Sequence, residues 1–295
     1  MTSPDPSQPS IERQATRVRV LAVRGATAET RDDRLAGEEP LAIRACGPGQ
    51  DPADVAVTMR TPGHETDLAA GFLWTEGLID AAGMDERAPG GPISGFSLGD
   101  PATHARPDDE ITVHLARPFD ATRIAARNFV ATASCGICGK ASLDELEVRC
   151  APLPPAGPTV TASTLVSLPA RLRDAQAVFD RTGGLHAAGL FTPSGDLVVL
   201  REDVGRHNAL DKLVGSQLLA GALPLHDRVV LVSGRASFEL VQKAAVAGVP
   251  VLAAVSAPSD LAVDAAERMG LTLVGFLRGD DFNVYSHPER VVLRA

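Results

Sequence analysis

RVVLVSGRASFELVQKAAVAGVPVLAAVS, residues 228–256, decides the fold class of this chain. Arg228 to Ser233 reads as a strand, Phe238 to Gly248 as a helix, and Pro250 to Ser256 as a second strand. Val229-Val230-Leu231-Val232 and Val251-Leu252-Ala253-Ala254-Val255 are apolar at consecutive positions rather than alternate ones. A strand that is apolar on both faces needs helices over both. The stretch therefore predicts an α/β fold with a three-layer α/β/α domain. The alternation continues on either side. Downstream, Ser259 can cap a helix that runs to Met269 and stops at Gly270, and Thr272 to Leu277 is a strand. Upstream, Leu168, Leu172, Ala175 and Phe179 recur at helical steps. Leu185 to Thr192 and Leu197 to Arg201 flank the turn Pro193-Ser194-Gly195-Asp196, and Asn208 to Gly221 reads as a helix capped by Asn208.

The first half reads differently. Strand-like stretches run from Val18 to Val23, Leu41 to Ala45, Val55 to Arg60 and Ile111 to Leu115, with a helix from Glu65 to Gly77 that places Trp74 in a core. Ala81 to Asp109, rich in Gly, Pro and Asp, reads as an irregular insertion. The expected organisation is a tail over 1–16, a small α+β domain over 17–128, a cysteine-bearing loop and Pro-rich connector over 129–158, and the layered domain over 159–295.

Composition narrows the function. With 295 residues, 44% of them hydrophobic, the chain is long enough for real cores. No apolar run approaches the roughly eighteen residues of a membrane span, and Met1 to Gln14 lacks the apolar centre of a signal peptide. A net charge of −9 argues against a general nucleic-acid or membrane surface. Four unevenly spaced cysteines do not form a secreted disulfide framework, so a reducing cytoplasm is expected.

The chemistry concentrates in Cys135-Gly136-Ile137-Cys138-Gly139-Lys140. Two thiols three positions apart sit between small neighbours, and Lys140 favours the reactive thiolate. A zinc knuckle and a pair of inert cysteines are the competing readings. Zinc lacks a second CxxC, because the other cysteines, Cys46 and Cys150, stand alone at expected strand and helix ends; no metal site is expected. Polar clusters follow each strand of the layered domain: Ser233-Gly234-Arg235, Ser256 to Asp260, and Arg278-Gly279-Asp280-Asp281. Ligands of such folds sit beyond the carboxyl ends of the strands, and a helix start with free N–H groups suits a phosphate. Glu202 to Lys212 adds a dense polar segment in which His207 is a candidate ligand contact and Asp203 a turn former.

Together, Met59-Arg60-Thr61-Pro62-Gly63-His64, Gly71 to Gly77, the thiol block, Arg181-Thr182-Gly183-Gly184-Leu185-His186, Glu202 to Lys212, Ser233 to Lys243, Ala254 to Asp260 and Gly275 to Tyr285 resemble the FdhD family, the sulfur carriers needed for formate dehydrogenase activity. The tail and the 83–108 insertion are not explained by it. The resemblance implies a cytidine-deaminase-like fold for the C-terminal domain, yet His186 has Ala188 where a deaminase needs its glutamate, so deamination is not implied. It implies that Cys135 and Cys138 take persulfide sulfur from a cysteine desulfurase. That sulfur passes to the molybdenum or tungsten bis-molybdopterin guanine dinucleotide destined for formate dehydrogenase. The expected binding residues for that substrate are Ser233, Gly234, Arg235, His207, Phe276, Leu277, Arg278, Gly279, Asp280 and Asp281, and a homodimer is expected. Two alternatives of other classes remain: a cofactor chaperone without sulfur transfer, and a dithiol oxidoreductase.

Overall fold

A computed structural model of the chain describes residues 11–79, 91–102, 106–125, 152–155 and 157–293. Cys135, Cys138, Lys140 and Cys150 lie outside the described residues. The first two strands, β1 (Ala15–Arg24) and β2 (Thr27–Ala36), pair antiparallel over ten residues as a two-stranded ribbon. β3 (Glu39–Cys46), β4 (Ala53–Arg60), β5 (Ile93–Leu98) and β6 (Glu110–Leu115) form a second sheet in the order β4-β3-β6-β5, with β3 and β6 parallel. The expected strands at 18–23, 41–45, 55–60 and 111–115 are all present. The region read as an irregular insertion, however, contains β5 and the short helix Pro107–Asp109.

The layered domain begins with β7 (Val160–Thr161), which pairs with β14 (Val291–Val292). β8 (His186–Phe191), β9 (Leu197–Asp203), β10 (Val229–Val232), β11 (Val251–Ala254), β12 (Thr272–Arg278) and β13 (Asp281–Ser286) make a six-stranded sheet in the order β13-β12-β11-β10-β8-β9. β10, β11 and β12 are parallel, and β8 and β13 run against them. Consecutive residues of the central strands feed different cores. Ala188, Leu190, Val230, Val232, Leu252 and Ala254 join the core beneath the helices Arg206–Leu219, Phe238–Val246 and Asp260–Met269. Ala187, Phe191, Val229, Leu231, Val251 and Ala253 meet Leu165, Leu168 and Leu172 of the helix Ala162–Ala175 on the other face. This is the physical reason the strands are apolar on both sides.

Ser259 caps its helix as expected, its hydroxyl accepting from Ala262 N at 3.2 Å, and Gly270 ends it at φ 70°. Asn208 does not cap its helix. The helix begins at Arg206 after Gly205, and Asp203 Oδ1 takes the Gly205 N–H at 2.8 Å, leaving the Asn208 amide to donate to Met59 O at 2.7 Å. Phe179 likewise leaves the helix of Leu168 and Leu172, which ends at Ala175; it opens a separate short helix, Phe179–Thr182.

The two halves share one core. The helix Glu65–Thr75 lies on the helix Arg206–Leu219, and residues of the four-stranded sheet such as Ile43 and Val113 belong to the same cluster as Leu210 and Val214. At the crossing the backbones touch. A Cβ on Gly71 would stand 1.9 Å from Asp211 O, and one on Gly215 would stand 1.8 Å from Asp67 O. Backbone atoms cannot yield as a side-chain tip can. Gly215→Ala is therefore expected to cost about 3 kcal/mol, the upper range for overpacking, read as a fall in the denaturation midpoint. An unchanged midpoint would mean the helices can separate freely.

Candidate functional site

The turns beyond β10, β11 and β12 lie side by side at the carboxyl end of the sheet. Ser256 N donates to Gly234 O at 3.3 Å, Ala236 N to Ala257 O at 3.2 Å, and Phe276 N to Ser256 O at 3.1 Å. A hydrogen-bonded row thus joins three of the clusters singled out in the sequence. Ser233 is occupied structurally: its hydroxyl accepts from Ala187 N at 2.9 Å and its N–H donates to Ala187 O. Arg235, Arg278, Gly279, Asp280 and Asp281 are exposed, whereas Leu277 is fully buried in the second core and presents no surface.

The segment 276–281 is a hairpin tip. Arg278 and Asp281 are register partners, and Gly279 turns between them at φ 59°, where a side chain is disfavoured. Phe276 is unusual in adopting φ 53° without being glycine, where the β12–β13 pairing shifts register, and the Arg278 guanidinium stands 5.7 Å from its ring centroid. Such a conformation costs on the order of 1 kcal/mol and persists only when its surroundings enforce it. Here the hydrogen bond to Ser256 and the contact of Gly275 with Pro258 hold it.

His207 and His186 meet the same end of the sheet. His207 Nε2 is 2.9 Å from Glu239 Oε2 and 3.3 Å from Ser237 Oγ, bridging the starts of the helices Arg206–Leu219 and Phe238–Val246. Neither start has a side-chain cap, which leaves N–H groups for a ligand. The hydrogen bond from His207 holds the Glu239 carboxyl below its ordinary value. His186 opens β8 beside Gly234; burial, together with the positive charges of Arg206 and His207, pushes its imidazole down and favours the neutral ring. His186 was named in the sequence only as part of a motif. Its place here depends on β8 running antiparallel to β10, which the sequence does not reveal.

Most of the Glu202–Lys212 segment joins the halves rather than lining the site. Asp203 is fully buried, 2.7 Å from Lys212 Nζ, and accepts from Thr61 N at 3.1 Å; Lys212 also donates to Thr61 O at 2.8 Å. Asp211 accepts from Thr75 Oγ1 at 2.7 Å, and Lys243 Nζ stands 3.0 Å from both of its oxygens and 2.7 Å from Glu76 Oε1. Burial works against the Lys243 charge, but Asp211 and Glu76 override it and raise its pKa; burial pushes the Asp211 carboxyl up, opposed by Lys243 and Thr75.

A second feature flanks this network. A cleft of about 150 Å³ is lined by Thr61, His64, Leu185, Leu200, Arg201 and Glu202 among others, bringing together residues of three motifs. Among the described residues no cluster of three or more His, Cys, Asp or Glu is arranged for a metal. Among the described residues the one cysteine, Cys46, is buried at the end of β3, with Sγ 3.3 Å from His114 Nδ1.

The profile of the FdhD/NarQ family matches residues 36–292. The sulfur carrier protein FdhD of Streptomyces avermitilis is 52% identical over 287 residues, 96% of this chain and 98% of that protein. The protein of the same name from Sulfurisphaera tokodaii is 42% identical over 280 residues, 95% of this chain and 100% of its own length. The crystal structure of a putative formate dehydrogenase accessory protein from Desulfotalea psychrophila superposes with a TM-score of 0.68 at 25% identity, covering 95% of this chain and 100% of that one.

Proposed function

Because the chain belongs to the FdhD/NarQ family, we propose that it is a sulfur carrier supporting formate dehydrogenase, acting as a sulfurtransferase on the molybdenum cofactor. In this reading a cysteine desulfurase supplies a persulfide. The Cys135 thiolate attacks its terminal sulfur, the displacement that also underlies thiol–disulfide exchange. The new persulfide presents that sulfur to the bis-molybdopterin guanine dinucleotide, which is bound as substrate. Cys138 completes release by closing a disulfide with Cys135 or shares the carrying role.

The observation that supports a guanine-nucleotide substrate is the row of strand-end turns. Two helix starts without side-chain caps, with Arg235 and Arg278 exposed nearby, suit a ligand carrying two diphosphates. Asp280 and Asp281, both exposed at the hairpin tip, can accept from the N1–H and exocyclic amine of guanine, a pairing adenine does not offer. Titration calorimetry with GDP and ADP tests this. GDP is expected to bind more tightly, and Arg278→Ala to lose about ten- to a hundredfold, the worth of one charge-assisted contact. Equal affinities for the two nucleotides, or an unchanged mutant, would remove the hairpin tip from the site.

A further inference from the structure

A buried polar atom without a partner marks a contact that the fold itself does not complete. Among the described residues, five side-chain nitrogens are buried without a hydrogen bond, on Arg44, Arg60, Gln176, Arg206 and Arg290. Gln176 is a neutral amide, and Arg44 and Arg60 turn the same nitrogen toward Asp54 at 2.9 Å and Glu65 at 3.2 Å. Arg290 bonds Thr272 and Pro154 through its other nitrogens. Arg206 differs from these arginines. It is half-buried, yet its side chain makes neither an ion pair nor a hydrogen bond among the described residues. Two carboxylates at the same strand ends are already taken, Glu239 by His207 at 2.9 Å and Asp203 by Lys212 at 2.7 Å.

His186 is its neighbour. It opens β8 opposite Asp203 of β9 and packs on the backbone of the turn after β10, where a Cβ on Gly234 would stand 3.2 Å from Nδ1. Neither ring nitrogen makes a hydrogen bond among the described residues. The charges acting on it are Arg206 and His207 at the helix start and Asp203 at the end of β9; burial is the largest influence, and with the two positive neighbours it outweighs Asp203 and favours the neutral ring. An anion placed here would offset the Arg206 charge and make an imidazolium favourable.

We propose that Arg206 and His186 clamp the diphosphate of the ligand at the carboxyl end of the sheet, and that binding draws one proton from solvent onto His186. This rests on the nucleotide reading of the strand-end turns and names the groups that hold the phosphates. The Arg206 fork gives two N–H donors to phosphate oxygens, and the protonated imidazole gives a further one. Affinity then depends on pH. The anion raises the His186 pKa above its value in the free protein, so binding tightens as pH falls through the value in the complex and levels off below the free value. One proton contributes at most about tenfold per pH unit.

The probe is GDP-mannose, a diphosphate diester whose phosphates do not titrate near neutral pH, added to the full chain in titration calorimetry. Wild type is expected to bind it about tenfold or more tightly at pH 5 than at pH 8. At pH 8, Arg206→Gln is expected to lose about ten- to a hundredfold, and Arg206→Lys, which keeps the charge without the fork, to fall between. His186→Gln is expected to bind without dependence on pH. Neither side chain bonds to the rest of the fold, so these variants should keep the wild-type thermal midpoint. Unchanged affinity in Arg206→Gln, or a pH dependence that survives in His186→Gln, would overturn the proposal and leave the nucleotide reading in place. Wild-type binding equal at both pH values would do the same. A wild type that ignores GDP-mannose but binds inorganic pyrophosphate, and loses it in Arg206→Gln, would keep the clamp and end the guanine reading. Binding of neither would end both.

Discussion

Cys135→Ser is expected to abolish support of formate dehydrogenase while leaving the protein folded. A serine oxygen cannot take up a sulfane sulfur to become a persulfide, so the loss should be complete rather than partial. Cys138→Ser is expected to impair turnover. Cys46→Ser provides the contrast. Its sulfur meets His114 Nδ1 at 3.3 Å at the end of β3, so the substitution should cost about 1 kcal/mol of stability or less and spare activity. Formate dehydrogenase activity in cells complemented with each variant, set beside thermal midpoints of the purified proteins, separates the outcomes. Retained activity in Cys135→Ser would end the carrier reading.

Lys243→Met is expected to have the largest effect on stability. Lys243 and Asp211 are both almost completely buried, and the ammonium is shared with Glu76 and Thr75 across the contact between the halves. Removing it leaves the Asp211 carboxylate buried without its counter-charge, a loss of about 3–5 kcal/mol. The sign with pH follows from the direction of the Asp211 shift. Burial already raises that carboxyl in the folded protein, and loss of Lys243 raises it further. A group whose folded pKa lies above its unfolded value contributes stability at low pH and loses it as pH rises through the folded value. The deficit of Lys243→Met should therefore shrink between pH 8 and pH 5, measured as the difference in thermal midpoint from wild type. Lys243→Met combined with Asp211→Leu, which removes both charges, should recover most of the loss. A single variant as stable as wild type at pH 8 would mean the pair is solvated rather than buried.

The layered domain was legible because its strands carry their environment in their composition: Val229 to Val232 and Val251 to Ala254 are apolar toward two cores, and no other arrangement covers both faces. The β1–β2 ribbon was only half legible. Its first strand is apolar in part, but Thr27–Ala36 reads Thr-Ala-Glu-Thr-Arg-Asp-Asp-Arg-Leu-Ala, and a strand exposed nearly throughout has no alternation to recognise. The site was legible as three polar turns after three strands; their joining through Ser256 and the left-handed backbone of Phe276 depended on register and could not be read. In the dense segment Glu202 to Lys212 the sequence marks His207 as a ligand contact and Asp203 as a turn former, but not the joining of the two halves. Asp203, Asp211 and Lys212 meet Thr61 and Thr75, partners more than a hundred residues earlier, so local sequence holds no trace of what satisfies them. His64 shows the reverse. It stood in a quoted motif three residues before Asp67, but only the fold brings the pair to Arg201 at a cleft.

The most direct test of the central claim is to incubate the purified chain with a cysteine desulfurase and cysteine, then map bound sulfur by peptide mass spectrometry. The account predicts one additional sulfur atom on the peptide carrying Cys135 and Cys138, removed by reductant and absent from Cys135→Ser. A wild-type peptide that gains no sulfur under conditions where the desulfurase is turning over would contradict it.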